Sequence, residues 1–103
     1  MQIYGIKTCD TCRKALKALP DAEFVDVRVD GMPQDILLAA HARFADALVN
    51  RRSTTWREMS EAERGGDPLT LLRAHPTLMK RPLIVSGETM TLGWSAEIAG
   101  QWS

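Results

Sequence analysis

The chain has 103 residues, 45% of them hydrophobic and 25% charged, which fits one globular domain with a single core. Thirteen basic and thirteen acidic side chains cancel, so composition argues against non-specific binding to nucleic acid or to an anionic membrane surface. No apolar run approaches membrane-spanning length, Met1 opens no charged-then-apolar signal pattern, and two cysteines are too few for a secreted disulfide scaffold; a cytoplasmic protein is expected.

Ile3 to Ile6 reads as a short buried strand, with Gly5 admitting a close backbone approach. Lys7-Thr8-Cys9-Asp10-Thr11-Cys12 follows, and a helical pattern runs from Arg13 to Leu19 until Pro20 stops it. A Cys-x-x-Cys pair therefore stands at a strand-to-helix junction. Helix N-terminal amides are unpaired there and the macrodipole is positive, so a thiolate is stabilised and the thiol pKa falls. Cys9 lies nearest the helix start, and Cys12 follows about one turn later on the same face. That spacing suits one sulfur that takes a mixed disulfide and another that releases it. Two other readings stay open: inert buried thiols, and half of a zinc site. Charged neighbours disfavour the first. The second needs roughly four ligands; the chain has no further cysteine, and His41 and His75 stand apart in helical stretches without a base-orienting partner.

Phe24 to Asp30 alternates strictly, placing Val25, Val27 and Val29 on one face of an expected strand. Strand, helix, strand in this order is a βαβ unit with parallel pairing. Asp30-Gly31-Met32-Pro33 then turns into a helix whose apolar residues are Ile36, Leu37, Ala40, Phe44 and Leu48. The segment Asn50 to Arg57 is polar and breaks the pattern. Ser60 to Arg64 is a short helical run stopped by Gly65-Gly66, and Asp67 caps another helix with Pro68 as its first residue and Leu69 and Leu72 facing inward. Residues 31–79 thus read as a helical insert. A strand follows Pro82, Ser86-Gly87-Glu88 turns, Thr89 to Leu92 returns antiparallel, and Ser95 caps a terminal helix reaching Trp102. The expected fold is α/β: a four-stranded mixed sheet with flanking helices and a helical insertion, in one domain spanning 1–103.

The blocks Tyr4-Gly5-Ile6-Lys7-Thr8-Cys9-Asp10-Thr11, Asn50-Arg51-Arg52-Ser53-Thr54-Thr55-Trp56-Arg57, and Lys80-Arg81-Pro82-Leu83-Ile84-Val85 with Leu92-Gly93-Trp94 resemble the arsenate-reductase-like family, the ArsC/Spx/YffB group of thioredoxin-fold proteins, and its YffB-like subgroup most closely. The resemblance implies a thioredoxin/glutaredoxin-like fold. It matches Cys9 to the reactive cysteine, Arg81 to an arginine that holds an oxyanion beside the sulfur, and Pro82 to a cis-proline facing it. A guanidinium offers a planar fork to an oxyanion or carboxylate and also stabilises a thiolate. Lys7 and Thr8 flank the nucleophile as donors to a bound thiol peptide, although a plain surface role competes. Arsenate reductases of the family carry three oxyanion arginines. The first position falls at Asn50, with Arg51 and Arg52 beside it; the last falls near Gly93; only Arg81 transfers. Arg51, Arg52 and Arg57 equally suit a solvated loop face, and Trp56 and Trp94 suit packing.

The resemblance implies a glutathione-linked thiol–disulfide oxidoreductase, with glutathione as co-substrate and no bound cofactor or metal. Glutathione or a small thiol or oxyanion substrate, and glutaredoxin, are the partners it suggests for an expected monomer. Two alternatives accompany it. One is a glutaredoxin-linked arsenate reductase. The other is a redox-sensing regulator similar to the Spx-type proteins, which bind the RNA polymerase alpha subunit and use a Cys-x-x-Cys switch.

Overall fold

In the computed structural model, which describes residues 1–102, the sheet is built on β1 (Gln2–Gly5). β1 pairs in parallel with β2 (Glu23–Asp26) on one side and antiparallel with β3 (Leu83–Ser86) on the other. β4 (Thr89–Leu92) returns along β3, giving the strand order β2-β1-β3-β4, a mixed four-stranded sheet as expected. Gly87, at φ 59°, makes the tight turn between β3 and β4. Helix α1 (Asp10–Ala18) connects β1 to β2, with Asp10 in its first turn and Lys17 in its last, both favourable to the helix dipole.

These elements form one compact unit, residues 1–30 with the chain from Arg81 onward. Ile3 and Ile84 are direct partners across β1 and β3, so their side chains share a face. Ala15 and Leu19, four residues apart on α1, meet that face, and Leu16, Phe24, Trp94 and Trp102 pack around the cluster. A terminal helix (Ala96–Trp102) starts after Ser95, whose hydroxyl accepts the Ile98 N–H. It ends with the Trp102 indole N–H donating to the buried Thr91 hydroxyl at 2.7 Å. Each fully buried aliphatic side chain here contributes roughly 1.5–3 kcal/mol of burial free energy.

The expected strand to Asp30 is corrected. β2 stops at Asp26, and Val27–Asp30 forms a single helical turn, α2, that leaves Val29 78% exposed. The cause lies at Asp26: one carboxylate oxygen accepts the N–H of Arg28, two residues on, at 2.9 Å. This local bond offers the backbone an alternative to the sheet ladder. Strand alternation then gives way to a different burial pattern, with Asp26 and Val27 inside.

Gly31–Lys80 forms a second compact unit. It contains α3 (Gln34–Phe44), a 3-10 turn (Ala45–Leu48), α4 (Thr54–Glu58), α5 (Glu61–Arg64), α6 (Pro68–Ala74) and a 3-10 turn (Pro76–Leu78). Ser60 and Glu63 form a reciprocal capping box on α5, and Asp67 caps α6, with Pro68 in its first turn. Leu37, Leu48, Leu72, Leu78 and Met79 are the large buried side chains. The helical spacing that extends to Leu48 in sequence is broken at Ala45, where φ is 49°, so Leu48 is buried from a 3-10 turn rather than from α3. The sheet-bearing unit, which includes the chain up to Asp30 and again from Arg81, carries both the cysteine pair and the arginine–proline pair.

Candidate active site

Cys9 is the N-cap of α1: its carbonyl accepts the Arg13 N–H at 3.0 Å, and its backbone is extended (φ −80°, ψ 122°). No side-chain capping bond closes on its sulfur. Burial is the largest single influence on the thiol and pushes its pKa up. The N–H of Cys12, the Cys12 thiol, the Arg81 side chain and the N–H of Thr11 all face the sulfur, and together they outweigh burial and hold Cys9 below its ordinary value. These are the groups a thiolate at a helix start requires.

Cys12 behaves in the opposite way. It has no exposed surface, and it borders an apolar cavity of about 240 Å³ with Leu16 and Phe24 among its walls. Burial above all pushes its thiol up to about 12, and the neighbouring Cys9 adds to the rise. Gly5 makes this position available. A Cβ at Gly5 would overlap the Cys12 sulfur and come within 3.2 Å of its Cβ. The close approach expected at Gly5 is therefore made by a side chain, not by backbone. Gly5→Ala should overpack the site and lower stability by roughly 1–3 kcal/mol, measured by denaturant unfolding; a midpoint equal to that of wild type would show that Cys12 has room to move.

Arg81 is half-buried, the Arg81–Pro82 peptide bond is cis, and Pro82 is fully buried at the start of β3. The Pro82 carbonyl accepts the Gly93 N–H at 2.9 Å. Gly93 has φ 84°. A side chain there would be held in a left-handed conformation that strongly favours glycine, so the position is poorly suited to an oxyanion arginine. Lys7 and Thr8 are exposed, and both are engaged through polar groups close to the cysteine. The Lys7 N–H donates to Asp26 Oδ2 at 3.3 Å, its carbonyl accepts from Arg13 Nε at 2.9 Å, and the Thr8 hydroxyl accepts from Arg28 Nη2 at 3.2 Å.

The structure thus gathers Cys9, Cys12, Arg81, Pro82, Lys7 and Thr8 into the sheet-bearing unit, and puts Asn50, Arg51 and Arg52 in the helical one. There they line a cavity of about 540 Å³ with Asp46 and Lys80. Asn50 is occupied locally: its Oδ1 accepts the Arg52 N–H at 3.0 Å and its own N–H donates to the Leu78 carbonyl. Arg51 lies 5.7 Å from the centroid of the Trp56 ring and Arg64 lies 5.4 Å from it. Trp56 is therefore held by cations, with Arg64 Nε also donating to its carbonyl. Arg51, Arg52 and Lys80 are all exposed cations of that cavity. Among the described residues, no group of three or more His, Cys, Asp or Glu side chains is placed to hold a metal ion, and no helix is long and apolar enough to cross a membrane.

Asp26 and Arg28 went unmarked by sequence reasoning, which counted Asp26 as the polar face of a strand. No local signal marks them, because the alternation through Asp30 hides the end of the strand at Asp26.

A model of the ArsC family matches residues 4–101. An uncharacterised protein of Haemophilus influenzae is 41% identical, over 90% of each chain. Among solved structures, a YffB protein superposes with a TM-score of 0.87 at 28% identity, covering 97% of this chain and 96% of that one. A protein of Brucella melitensis described as related to arsenate reductase (ArsC) superposes with a TM-score of 0.72 at 29% identity, covering 98% and 92%. The mixed sheet and its helices are thus those of a thioredoxin-like fold.

Proposed function

The chain belongs to the ArsC family, and from that premise we propose that it is a thiol–disulfide oxidoreductase that uses Cys9 as nucleophile and glutathione as its reducing thiol. The observation that carries the reading is the split between two neighbouring thiols. Cys9 is held below its ordinary pKa at a helix start beside Arg81, while Cys12 is buried and pushed up to about 12. One is prepared to attack and the other to remain protonated.

In the first step the Cys9 thiolate attacks one sulfur of a substrate disulfide. The new bond joins Cys9 to that half, the old S–S bond breaks, and the other half leaves as a thiolate that takes up a proton. In the second step an external glutathione thiolate attacks the mixed disulfide and releases Cys9 as the thiolate again. Arg81 and the N–H groups of Thr11 and Cys12 stabilise that leaving group. A protonated Cys12 thiol is a poor resolving nucleophile, which favours glutathione for this step. Arsenate is the weaker reading, because one arginine of the three oxyanion positions is present and Gly93 occupies another in a conformation unfavourable to arginine.

Mass analysis after exposure to oxidised glutathione tests the scheme. Cys12→Ser is expected to retain a single glutathione adduct, and Cys9→Ser to form none. A stable Cys9–Cys12 disulfide as the sole product of the wild-type protein would replace glutathione by Cys12 as the resolving thiol. No adduct on any form would sink the proposed activity.

A further inference from the structure

We propose that Asp26 is a positioning residue for Cys9: its carboxylate clamps the Lys7–Thr8 turn that delivers the thiol to the start of α1. The proposal rests on the reading of Cys9 as the reactive thiol.

β1 ends at Gly5 and α1 begins at Asp10, so four residues must redirect the chain and leave the Cys9 sulfur over the helix end. The Cys9 N–H donates to the Ile6 carbonyl at 3.0 Å, which closes a turn with Lys7 and Thr8 at its tip. Both tip residues are exposed, so packing does not fix them. Polar bonds do. Three side chains hold the tip: Asp26 through the Lys7 N–H, Arg13 through the Lys7 carbonyl, and Arg28 through the Thr8 hydroxyl. Asp26 governs two of these. It accepts the Lys7 N–H directly, and it steadies Arg28 by accepting that residue's N–H at 2.9 Å with the Arg28 Nε 3.9 Å from the same oxygen.

Asp26 is 6% exposed, and burying a carboxylate is costly unless hydrogen bonds and charge compensate. Its compensation comes from the loop before Cys9 and from the turn after β2. The buried charge therefore links the ends of two parallel strands to the cysteine. The charged side chains near the turn are Lys7, Arg13 and Arg28 with Asp10 and Asp26, and Arg13 also approaches Asp10 at 4.0 Å. Burial acts to raise the Asp26 pKa, but the N–H groups of Arg28 and Lys7 and the charges of both residues hold it below the usual carboxylate value. The clamp is thus ionised across the neutral range.

Charge and geometry make opposite predictions for Cys9, and this separates them. Through space alone, a nearby carboxylate disfavours the Cys9 thiolate, so removing it lowers the thiol pKa. A positioning role gives the reverse: a loosened turn moves the sulfur away from the Thr11 and Cys12 N–H groups and Arg81, and the pKa rises. The experiment is thiolate titration and iodoacetamide kinetics on wild type, Asp26→Asn, Thr8→Val and the double variant, with thermal unfolding alongside. Asp26→Asn is expected to raise the Cys9 pKa and slow alkylation at pH 7 by about threefold to tenfold. Thr8→Val, which removes only an exposed hydroxyl, is expected to act in the same direction but less. In the Asp26→Asn background it should add little, because the Arg28 arm is already slack. A fall in Cys9 pKa for Asp26→Asn would overturn the proposal in favour of simple charge repulsion. A lowered melting temperature with an unmoved titration would overturn it in favour of a purely structural role. If Asp26→Asn does not fold, Thr8→Val decides: an unmoved Cys9 titration there refutes the clamp. A wild-type Cys9 that titrates at the ordinary thiol value is a separate failure, that of the reactive-thiol reading, and it removes the proposal with it.

Discussion

Iodoacetamide at limiting dose and pH 7 is expected to modify Cys9 and leave Cys12 untouched. The ordinary cysteine value is 9.0, Cys9 lies below it and Cys12 is pushed up to about 12. At pH 7 the Cys9 thiolate is therefore much the more abundant of the two. A more basic thiolate is intrinsically more nucleophilic, but nucleophilicity rises less steeply than basicity, so this returns only part of the advantage. Ionisation therefore leaves Cys9 ahead, and the absence of any exposed surface on Cys12 widens the margin. The rate at Cys9 should rise with pH through a midpoint below 9.0 and then level, as the thiolate fraction saturates. Cys9→Ser should lose labelling altogether in the folded protein, together with all thiol–disulfide exchange. Peptide mapping of the alkylated protein checks this. Preferential labelling of Cys12 would reverse the two roles, and slow labelling of both would indicate inert thiols.

The same contrast shows what sequence carries and what it does not. Local signals were legible where one side chain decides a backbone event. The Ser60–Arg64 run stopped by Gly65-Gly66, the Asp67-Pro68 start and the Ser86-Gly87-Glu88 turn are all set by neighbouring residues, and each stands where its chemistry places it. The parallel β1–β2 pair follows from chain order and handedness. The failure at Val27 and Val29 has a different origin. Alternation predicts a strand only while the ladder is the best available partner for the backbone, and Asp26 supplies another through the Arg28 N–H. Gly5 was legible as a close approach, but what approaches is the Cys12 sulfur, seven residues on and one helix turn into α1. The cysteine pair could be picked out because it stands at a strand-to-helix junction, and Arg81 only because the family resemblance marks it. Asp26 could not, since a buried acid and a solvated strand residue look alike until the partner N–H groups of Lys7 and Arg28 are located. Asn50 shows the converse: the resemblance puts it at the position of an oxyanion arginine, and its Oδ1 is already committed to the Arg52 N–H.

Arg81→Ala is expected to raise the Cys9 pKa and slow Cys9 chemistry at neutral pH while leaving the fold nearly unchanged. Burial drives the Cys9 thiol upward, and Arg81 is one of the few groups that oppose it, by hydrogen bonding to the sulfur with a full positive charge. It also lowers the Cys12 thiol by its charge, though burial prevails there. A hydrogen bond to a charged group is worth roughly 1.5–3 kcal/mol. Cys9 is only partly buried, so solvent screening reduces this figure, and a rate loss of about tenfold in alkylation at pH 7 is the reasonable expectation. Leu83, Ile84 and Val85 are buried in β3 independently of the arginine, so thermal unfolding should shift little. Arg81→Lys separates charge from shape. It should recover much of the thiol titration, since the charge returns. It should recover less of the affinity for glutathione, whose carboxylates suit the planar fork that lysine lacks. Thiolate titration, a glutathione-dependent disulfide assay and a melting curve on the three proteins read all of this. A fall of several degrees in melting temperature with an unmoved Cys9 titration would make Arg81 a residue of the fold and leave the thiolate to the α1 amides alone. Equal recovery of titration and glutathione affinity by Arg81→Lys would instead show that the guanidinium acts as a point charge, and that no carboxylate docks on its fork.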